Sequence, residues 1–480
     1  MLRYLTPETG ISANYDVCVI GAGAAGISLA QKLRSRGQTV LLAEGGGEDW
    51  EDDSQAIYQG SVEGDEYFDI ETARLRFFGG TTNHWGGMCR PLEELDFQAK
   101  PGFPLTEWPI SRSDLDPFLD EAREVVEIPE FPDDSALEGT DDLRRVHFVF
   151  SQPVRFAEKY REPFSSDPGI DVLLHANAQE AMLEDQKITS VRFENYSGHS
   201  VVVKADAFVL ACGGIENNRI LLQWNRDHNN GLGNKNDLVG RYWMEHLTQT
   251  IGEVAFCEGT SFGDDDVYLP FSRSRLYVAP TQRFMTENGL LNCRIRLDRD
   301  PDMDCTPPSW IAKLLGTAPE APARIAWLRS SSEQEPVFEN RVTLSSDVDR
   351  FGNPRAKLHW RRSDLDRRTF REPALALGQF FAEKTKVRMR LDDWVLSSEL
   401  EFSCEGGGHC PGGYHHMGGT RMAATPETGV VDLNAQVFGS DNLFCAGSSV
   451  FPSGGFCNPT FSIVQLSLRL GDYLADRNLK

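Results

Sequence analysis

The densest group of side chains that could do chemistry lies near the C-terminus, where residues 406–422 read GGGHCPGGYHHMGGTRM. Seven glycines and three histidines fall within these seventeen residues. Glycine lets a loop approach a bound molecule closely, because it has no side chain. An imidazole exchanges a proton near neutral pH or binds a metal. The stretch therefore predicts a loop over a ligand, with His415 or His416 available for acid–base chemistry.

A metal site is the alternative use of these histidines. Cys404, His409 and Cys410 lie close to the histidine pair in the sequence. Their spacing matches no established zinc pattern, so we predict that no metal is bound here. Most of the ten cysteines of the chain stand in apolar surroundings, as in VCVIG and LFCAG. We interpret them as reduced, buried thiols rather than as a disulfide framework.

The N-terminal part of the chain carries a second motif. Residues 15–26, YDVCVIGAGAAG, join a short apolar run to the spacing G-x-G-x-x-G at Gly21, Gly23 and Gly26. A helical pattern and a second apolar run ending at Glu44 follow. In such a unit the glycines permit a tight turn, the helix N-terminus faces a pyrophosphate, and the acidic residue binds a ribose. The unit predicts a dinucleotide site, and Glu44 would repel the 2′-phosphate of NADP.

Four separate blocks contain the elements that would position these loops. They are residues 15–45, the loop RFFGGTTNHWGGMCRP at 76–91, the strand, turn and helix of 204–222, and residues 440–478, which end in an amphipathic helix. The middle of the chain instead alternates polar and apolar residues. One stretch, NRVTLSSDVDRFGNPRAKLHW, predicts two strands joined by the turn DRFGNP. We interpret the middle region as an antiparallel sheet with covering helices, inserted into a nucleotide-binding domain.

Together these blocks resemble the glucose-methanol-choline (GMC) oxidoreductases, flavoenzymes that oxidise alcohols. Within that family they are most similar to the short bacterial sugar and polyol dehydrogenases and the pyranose oxidases. The segments that carry the resemblance are VIGAGAAG with Glu44, FGGTTNHWGG, VLACGGIENNRILL, GRYWMEHL, NRVTLS, HHMGGTRM and NLFCAGSSVFPSGGFCNPTFSI. The resemblance implies an α/β fold, with a Rossmann-like FAD-binding domain and an inserted antiparallel-sheet substrate domain. The FAD-binding domain would comprise residues 1–100, 165–250 and 405–480, and the substrate-binding domain residues 101–164 and 251–404.

The resemblance also implies an activity and roles for individual residues. A primary or secondary alcohol, such as a sugar, polyol or aminosugar hydroxyl, would be oxidised by hydride transfer to flavin N5. In the family motif H-x-x-G-T the catalytic histidine would be His416, with Asn458 as its partner, while His415 would serve packing. His84 stands where some relatives bind flavin covalently, and covalent and non-covalent contacts both remain open. FAD would be bound by Gly21, Gly23, Ala24, Ala25, Gly26, Glu44, Gly80, Thr81, Asn83, His84, Trp85, Gly86, Gly87, Gln179, Ala211, Gly447, Asn458, Pro459 and Thr460.

Composition limits the partners. The chain has 48 Lys and Arg residues against 72 Asp and Glu residues, a net charge of -24, which argues against nucleic acid and anionic membranes. Without a targeting segment or a membrane-spanning apolar run, we expect a cytoplasmic protein. The electron acceptor could be O2, a quinone or a redox protein. A flavin-containing lyase, an NAD-dependent dehydrogenase and a flavoprotein without catalysis remain open as alternatives.

Overall fold

The computed structural model describes residues 2–12, 14–100, 106–256, 274–299, 312–313, 323–397 and 412–477. Cys404, His409 and Cys410, considered above as metal ligands, lie outside these ranges. Within them the strands form four sheets, one of which is parallel throughout. None of the described helices is both long and apolar enough to cross a bilayer.

The parallel sheet is the centre of the nucleotide-binding half. Its strand order is β1 (Leu2–Tyr4), β8 (Ile170–Leu174), β3 (Val40–Ala43), β2 (Tyr15–Ile20), β12 (Ala205–Leu210) and β20 (Leu443–Cys445). Strands β2, β3 and β12 are apolar runs because helices cover them, as in other parallel sheets. Helices α1 (Ala24–Ser35) and α10 (Thr460–Asp476) contribute to the same core. The predicted strand–helix–strand unit and the predicted final helix are confirmed.

A small antiparallel sheet and a helix flank strand β12. The sheet consists of β9 (Asn177–Glu184), β10 (Lys187–Glu194) and β11 (Ser200–Val203). Helix α6 (Gly213–Asp227) follows β12 directly, as the pattern VLACGGIENNRILL predicts. Its first two residues are glycines, so the backbone at the start of α6 is open to close approach by other groups.

The largest sheet is antiparallel and lies in the middle of the chain. Its order is β19 (Arg388–Leu391), β13 (Leu247–Phe256), β16 (Arg324–Ser332), β15 (Cys293–Arg299), β14 (Ser274–Pro280), β7 (Leu143–Phe150) and β5 (Met88–Cys89), with β6 (Ser135–Ala136) beside β7. Helix α8 (Asp364–Lys384) covers it, with Phe370, Leu377 and Phe381 in one core with Ile251 and Leu328. The expected antiparallel sheet with a covering helix is therefore present.

The remaining sheet contains an antiparallel pair of strands, β17 (Arg341–Val348) and β18 (Pro354–Trp360), with Val342 opposite Leu358. This pair confirms the two strands and the turn predicted from NRVTLSSDVDRFGNPRAKLHW. Strand β4 (Ser61–Gly64) extends the pair in parallel to β18. The short helices between these elements are α2 (Asp52–Gln55), α3 (Glu94–Phe97), α7 (Gln282–Asn288) and α9 (Asp393–Leu396).

The expected domain boundaries need one correction. Residues 101–164 were expected in the substrate-binding domain. Their described part instead divides between the core of the parallel sheet and the large antiparallel sheet. Helices α4 (Leu119–Val126) and α5 (Phe156–Ser166) bury Val125 and Phe156 in the core of the parallel sheet, whereas β7 joins the large antiparallel sheet. The cause is the apolar face of each helix, which is covered by the nucleotide-binding half.

Candidate active site

A cavity of about 570 Å³ lies at the carboxyl ends of the parallel strands. Loops that follow β2, β3, β12 and β20 line it, where open α/β sheets bind their ligands. The glycine loop of residues 80–87 and the loop after Pro411 complete the wall. Most of the predicted site residues line this one cavity: Gly21, Gly23, Ala24, Ala25, Glu44, Gly80, Thr81, His84, Trp85, Gly86, Gly87, Gln179, Ala211, His416, Gly447, Asn458, Pro459 and Thr460.

The dinucleotide end of the cavity is formed by the turn from β2 to α1. Gly21 has a φ of 105°, a conformation that favours glycine, and no side chain caps the N-terminus of α1 at Gly23. The free N–H groups of this helix end therefore suit a pyrophosphate. Glu44 accepts hydrogen bonds from Ala22 N (2.8 Å) and Gly46 N (2.9 Å), which orient its carboxylate. Its remaining lone pairs suit the hydroxyls of a ribose.

Two predicted cofactor residues do not line the cavity. A Cβ on Gly26 would lie 1.9 Å from the Gly21 carbonyl oxygen, so Gly26 serves the close approach of α1 to the turn. The Asn83 side chain donates to Phe78 O (2.9 Å) and accepts from Ala157 N (3.4 Å). The expectation that Asn83 contacts the flavin is therefore corrected, because its amide is used to hold the loop.

His84 stands on the loop of residues 80–87 and faces the cavity. Arg155 fixes the loop by donating to Thr82 O (3.1 Å) and Trp85 O (2.9 Å). Trp85 also donates its indole N–H to Val154 O. Partial burial lowers the pKa of His84 below the ordinary histidine value. His84 is thus held as a neutral ring at the cavity wall.

The C-terminal loops bring a histidine and an amide together, but the histidine is His415. Its Nε2 lies 3.2 Å from Asn458 Nδ2. Arg294, on β15, donates to Asn458 Oδ1 (2.9 Å) and to Phe456 O (2.6 Å). A guanidinium only donates, so it fixes Oδ1 toward Arg294 and leaves Nδ2 to face His415. The amide therefore donates and His415 Nε2 accepts.

The structure differs here from the sequence prediction, because it brings His415 and not His416 to Asn458. Met417 pairs with Met244 through two backbone hydrogen bonds of 2.9 and 2.8 Å, which fixes the extended segment before it. The side chain of Met417 lies against Gly454, where a Cβ would be 2.8 Å from Met417 Cε. Side chains alternate along an extended segment, so His415 shares the side of Met417 and His416 points away.

His416 occupies an aromatic environment on the other side of the segment. Its ring centroid is 5.6 Å from Trp243 and 6.3 Å from Phe68. His416 Nε2 is 3.8 Å from Glu245 Oε2, which is beyond hydrogen-bond distance. Burial, and to a smaller extent Arg74, lowers the pKa of His416 to about 3. His416 is thus a neutral, buried ring that also reaches the cavity wall.

Burial and neighbouring charge make His415 a neutral base at neutral pH. Burial, then His246, Arg294 and His416, hold the pKa of His415 well below 6.5. Burial lowers the pKa of Arg294 to about 10, which leaves the guanidinium charged at neutral pH. A base with a depressed pKa stays unprotonated over a wide pH range. The arrangement can take a proton at Nε2 of His415 and donate a hydrogen bond from Asn458.

Three supporting residues escaped the sequence analysis. Glu245 accepts from the backbone N–H groups of His246 and His415, and burial raises its pKa to about 7. His246 contacts His415, with the two Nδ1 atoms 2.9 Å apart. Arg294 stands in the alternating stretch NCRIRL, where a charged residue on the covered face of a strand was the available signal. Such a signal does not say what the charge faces.

Among the described residues, no group of three or more histidine, cysteine, aspartate or glutamate side chains is arranged to hold a metal ion.

Comparisons with known proteins give two family matches. Residues 16–284, more than half of the chain, match the family described as FAD dependent oxidoreductase, and residues 336–467 match the family described as GMC oxidoreductase. The chain is 24% identical to a 2-methyl-1,2-propanediol dehydrogenase of Mycolicibacterium austroafricanum, over 96% of this chain and 95% of that protein. It is also 24% identical to a C-glycoside 3-oxidase of Microbacterium trichothecenolyticum, over 94% and 82%.

The fold is also similar to that of a solved structure. A formate oxidase structure superposes with a TM-score of 0.59, at 16% identity, and the match covers 98% of this chain and 99% of the other. The FAD dependent oxidoreductase match contains α1, β3, β8 and β12 of the nucleotide-binding half and all of β2 except Tyr15, and the GMC oxidoreductase match contains β20. The chain is therefore an FAD-dependent oxidoreductase whose C-terminal part belongs to the GMC oxidoreductase family.

Proposed function

We propose that the protein oxidises a hydroxyl of a polyol, sugar or aminosugar to the carbonyl, with His415 as the base. The observation that carries the proposal is the convergence of His415 Nε2 and Asn458 Nδ2 at 3.2 Å on the wall of the cavity. The same cavity is lined by the dinucleotide turn and by His84. A proton acceptor and a hydrogen-bond donor thus stand together at a site that suits FAD.

The residues divide the reaction between them. His415 takes the hydroxyl proton at Nε2, which is unprotonated at neutral pH, and the alcohol replaces the hydrogen bond that Nε2 accepts from Asn458. Asn458 donates from Nδ2 to the alcohol oxygen and stabilises the negative charge that develops there. Bound FAD supplies the acceptor for the hydride that leaves the carbinol carbon, so that the C–H and O–H bonds break as the C=O bond forms. Arg294 keeps the amide of Asn458 in the donating orientation.

The proposed substrate class rests on the relatives and on charge. The names of the two relatives specify a diol and a C-glycoside, which share an unactivated hydroxyl on a carbon chain or ring. The net charge of -24 favours neutral or amine-bearing molecules over anions. Hydroxyl-rich neutral molecules and aminosugars satisfy both conditions.

We propose further that the antiparallel layer, expected over residues 251–404, chooses the substrate. Its strand β15 carries Arg294, which reaches the catalytic amide. The nucleotide-binding half supplies the cofactor site and the two C-terminal loops. A substrate-bound structure is expected to show contacts from the antiparallel layer. Contacts from the nucleotide-binding half alone would contradict this assignment.

The activity is tested by mixing the oxidised holoenzyme anaerobically with 1,2-diols, C-glycosides and aminosugars. A substrate should bleach the flavin absorbance near ~450 nm, since the cofactor receives the electrons. The product should be two mass units lighter than the substrate, as loss of two hydrogens requires. Elimination products with the flavin still oxidised would instead indicate a lyase and overturn the proposal.

A further inference from the structure

We propose that His246 is a positioning residue, which fixes His415 in the tautomer that carries its proton on Nδ1 and its lone pair on Nε2. This inference rests on the proposed role of His415 as base. It extends that role to a residue behind the site, whose ring does not line the cavity. The assignment follows from the donors and acceptors around the two rings.

The tautomer of His246 is determined by backbone carbonyls. Its Nε2 lies 2.8 Å from Gly455 O and 3.3 Å from Gly454 O. A carbonyl oxygen only accepts, so Nε2 of His246 must carry a hydrogen. In a neutral imidazole the second nitrogen is then an acceptor. The Nδ1 of His246 therefore presents a lone pair.

The lone pair of His246 decides the proton position on His415. The two Nδ1 atoms lie 2.9 Å apart, and the rings are nearly perpendicular at 89°. Two lone pairs at this distance would repel, so His415 Nδ1 donates to His246 Nδ1. The neutral ring of His415 then has its lone pair on Nε2, which faces Asn458. This is the nitrogen that must accept the hydroxyl proton.

The backbone that holds His246 is itself anchored. Gly455 N donates to Glu333 Oε1 (3.1 Å), and Asn292 N donates to Glu333 Oε2 (3.2 Å). Lys100 forms a buried ion pair with the same carboxylate. The carbonyls of the 454–455 segment therefore have little freedom to turn away from His246. A continuous series of contacts thus connects the buried ion pair, through the 454–455 segment and His246, to His415.

The charges around His246 keep its ring neutral. The charged and titratable groups that face it are Arg294 on β15, Glu333 after β16, the neighbouring Glu245, and His415 with His416 on the facing segment. Burial, and then Arg294, lowers the pKa of His246 to about 4. At neutral pH the ring thus accepts from His415 instead of competing for a proton.

The test uses two variants of similar shape in the FAD-loaded enzyme. Asparagine can place Oδ1 near the position of His246 Nδ1 and accept from His415, whereas leucine cannot. His246→Leu should slow anaerobic flavin reduction about 10- to 100-fold, as loss of a group that orients a histidine does. His246→Asn should retain most of the rate. Both variants lose the bond to Gly455 O, so equal losses of thermal stability control for packing.

A direct reading of the tautomer complements the kinetics. In 15N-histidine-labelled wild-type holoenzyme, we expect His415 to show a protonated Nδ1 and an unprotonated Nε2, with loss of this pattern in His246→Leu. A proton on Nε2 in the wild type overturns the inference. Equal rates in the two variants, whether normal or slowed, also overturn it, because the acceptor would then not matter.

These outcomes differ from a failure of the proposed function. If His415→Ala reduces flavin at the wild-type rate, then the base has been assigned incorrectly and the role of His246 falls with it. If His415→Ala is slow while His246→Leu is normal, the base stands and the inference alone is wrong.

Discussion

Replacing the buried cation Arg294 should move the acid limb of the rate of flavin reduction to higher pH. The rate depends on neutral His415, so it falls when the pH drops below the pKa of that ring. Arg294 helps to hold this pKa well below 6.5, since a positive charge disfavours a second one nearby. Arg294→Met removes the charge and keeps an unbranched side chain, which is shorter than that of arginine. The pKa of His415 should rise, and the base should be lost at a higher pH.

The size of the shift follows from the geometry. Arg294 Nη2 and His415 Nε2 contact the two ends of the Asn458 amide, at 2.9 Å and 3.2 Å. The two charges are thus about 7 Å apart, and with an effective dielectric constant of about 20 they interact by about 2 kcal/mol. That energy corresponds to about 1.5 pH units. The window affected lies between the depressed pKa and the ordinary histidine value.

The assay is anaerobic stopped-flow reduction of the flavin across the acid pH range. Arg294→Lys is the control, because it keeps the charge but loses the two-pronged contact with Asn458 and Phe456. It should lower the rate at every pH and leave the acid limb near its wild-type position. An acid limb that is unmoved in Arg294→Met would refute the electrostatic argument. If the acid limb moves equally in Arg294→Met and Arg294→Lys, the shift would come from the lost contact with the Asn458 amide and not from the lost charge.

Three further results are expected. Glu245→Ala should destabilise the holoenzyme by about 3 kcal/mol, because two backbone N–H groups lose their buried acceptor. Glu245→Gln keeps an acceptor oxygen and should lose less stability. An equal loss of stability in the two variants would contradict this reason. Asn458→Ala should slow flavin reduction about 10²-fold with FAD retained, the usual effect of removing one hydrogen-bond donor to a developing charge, and unchanged kinetics would exclude that role. Acid precipitation should release the flavin into the supernatant if His84 only contacts the cofactor. Flavin in the pellet would show a covalent bond.

Local sequence patterns predicted the elements whose signals are local. The glycine spacing after an apolar run specifies the turn at Gly21, because the positive φ there suits glycine. The turn DRFGNP between two alternating runs specifies β17 and β18. The final helix follows from its apolar spacing. In each case the residues that give the signal also make the contacts.

The choice between His415 and His416 could not be made in the same way. A histidine followed by a glycine three residues later describes both, because Gly418 and Gly419 are adjacent. The decision is made by Met417 pairing with Met244, more than a hundred residues away in the chain. A motif gives spacing along the chain, whereas the face that a residue presents depends on its distant partner.

The role of Arg294 and the division of residues 101–164 also depend on partners that are distant in the sequence. Nothing near Arg294 in the sequence indicates that it will meet the Asn458 amide, because the two lie on different layers. Helix α4 shows an apolar face but not which sheet covers it. Pairwise contacts between layers are properties of the assembled fold.

The most direct test of the account compares alanine variants of the two adjacent histidines. Anaerobic reduction of bound FAD by a hydroxyl substrate is measured for His415→Ala and His416→Ala, each with its FAD content determined first. His415→Ala should be slower by about 10²- to 10⁴-fold, the usual contribution of a positioned acid–base group. His416→Ala should lie within about tenfold of the wild type, because its ring contacts neither Asn458 nor His246. Slow reduction in His416→Ala with normal reduction in His415→Ala would contradict the account.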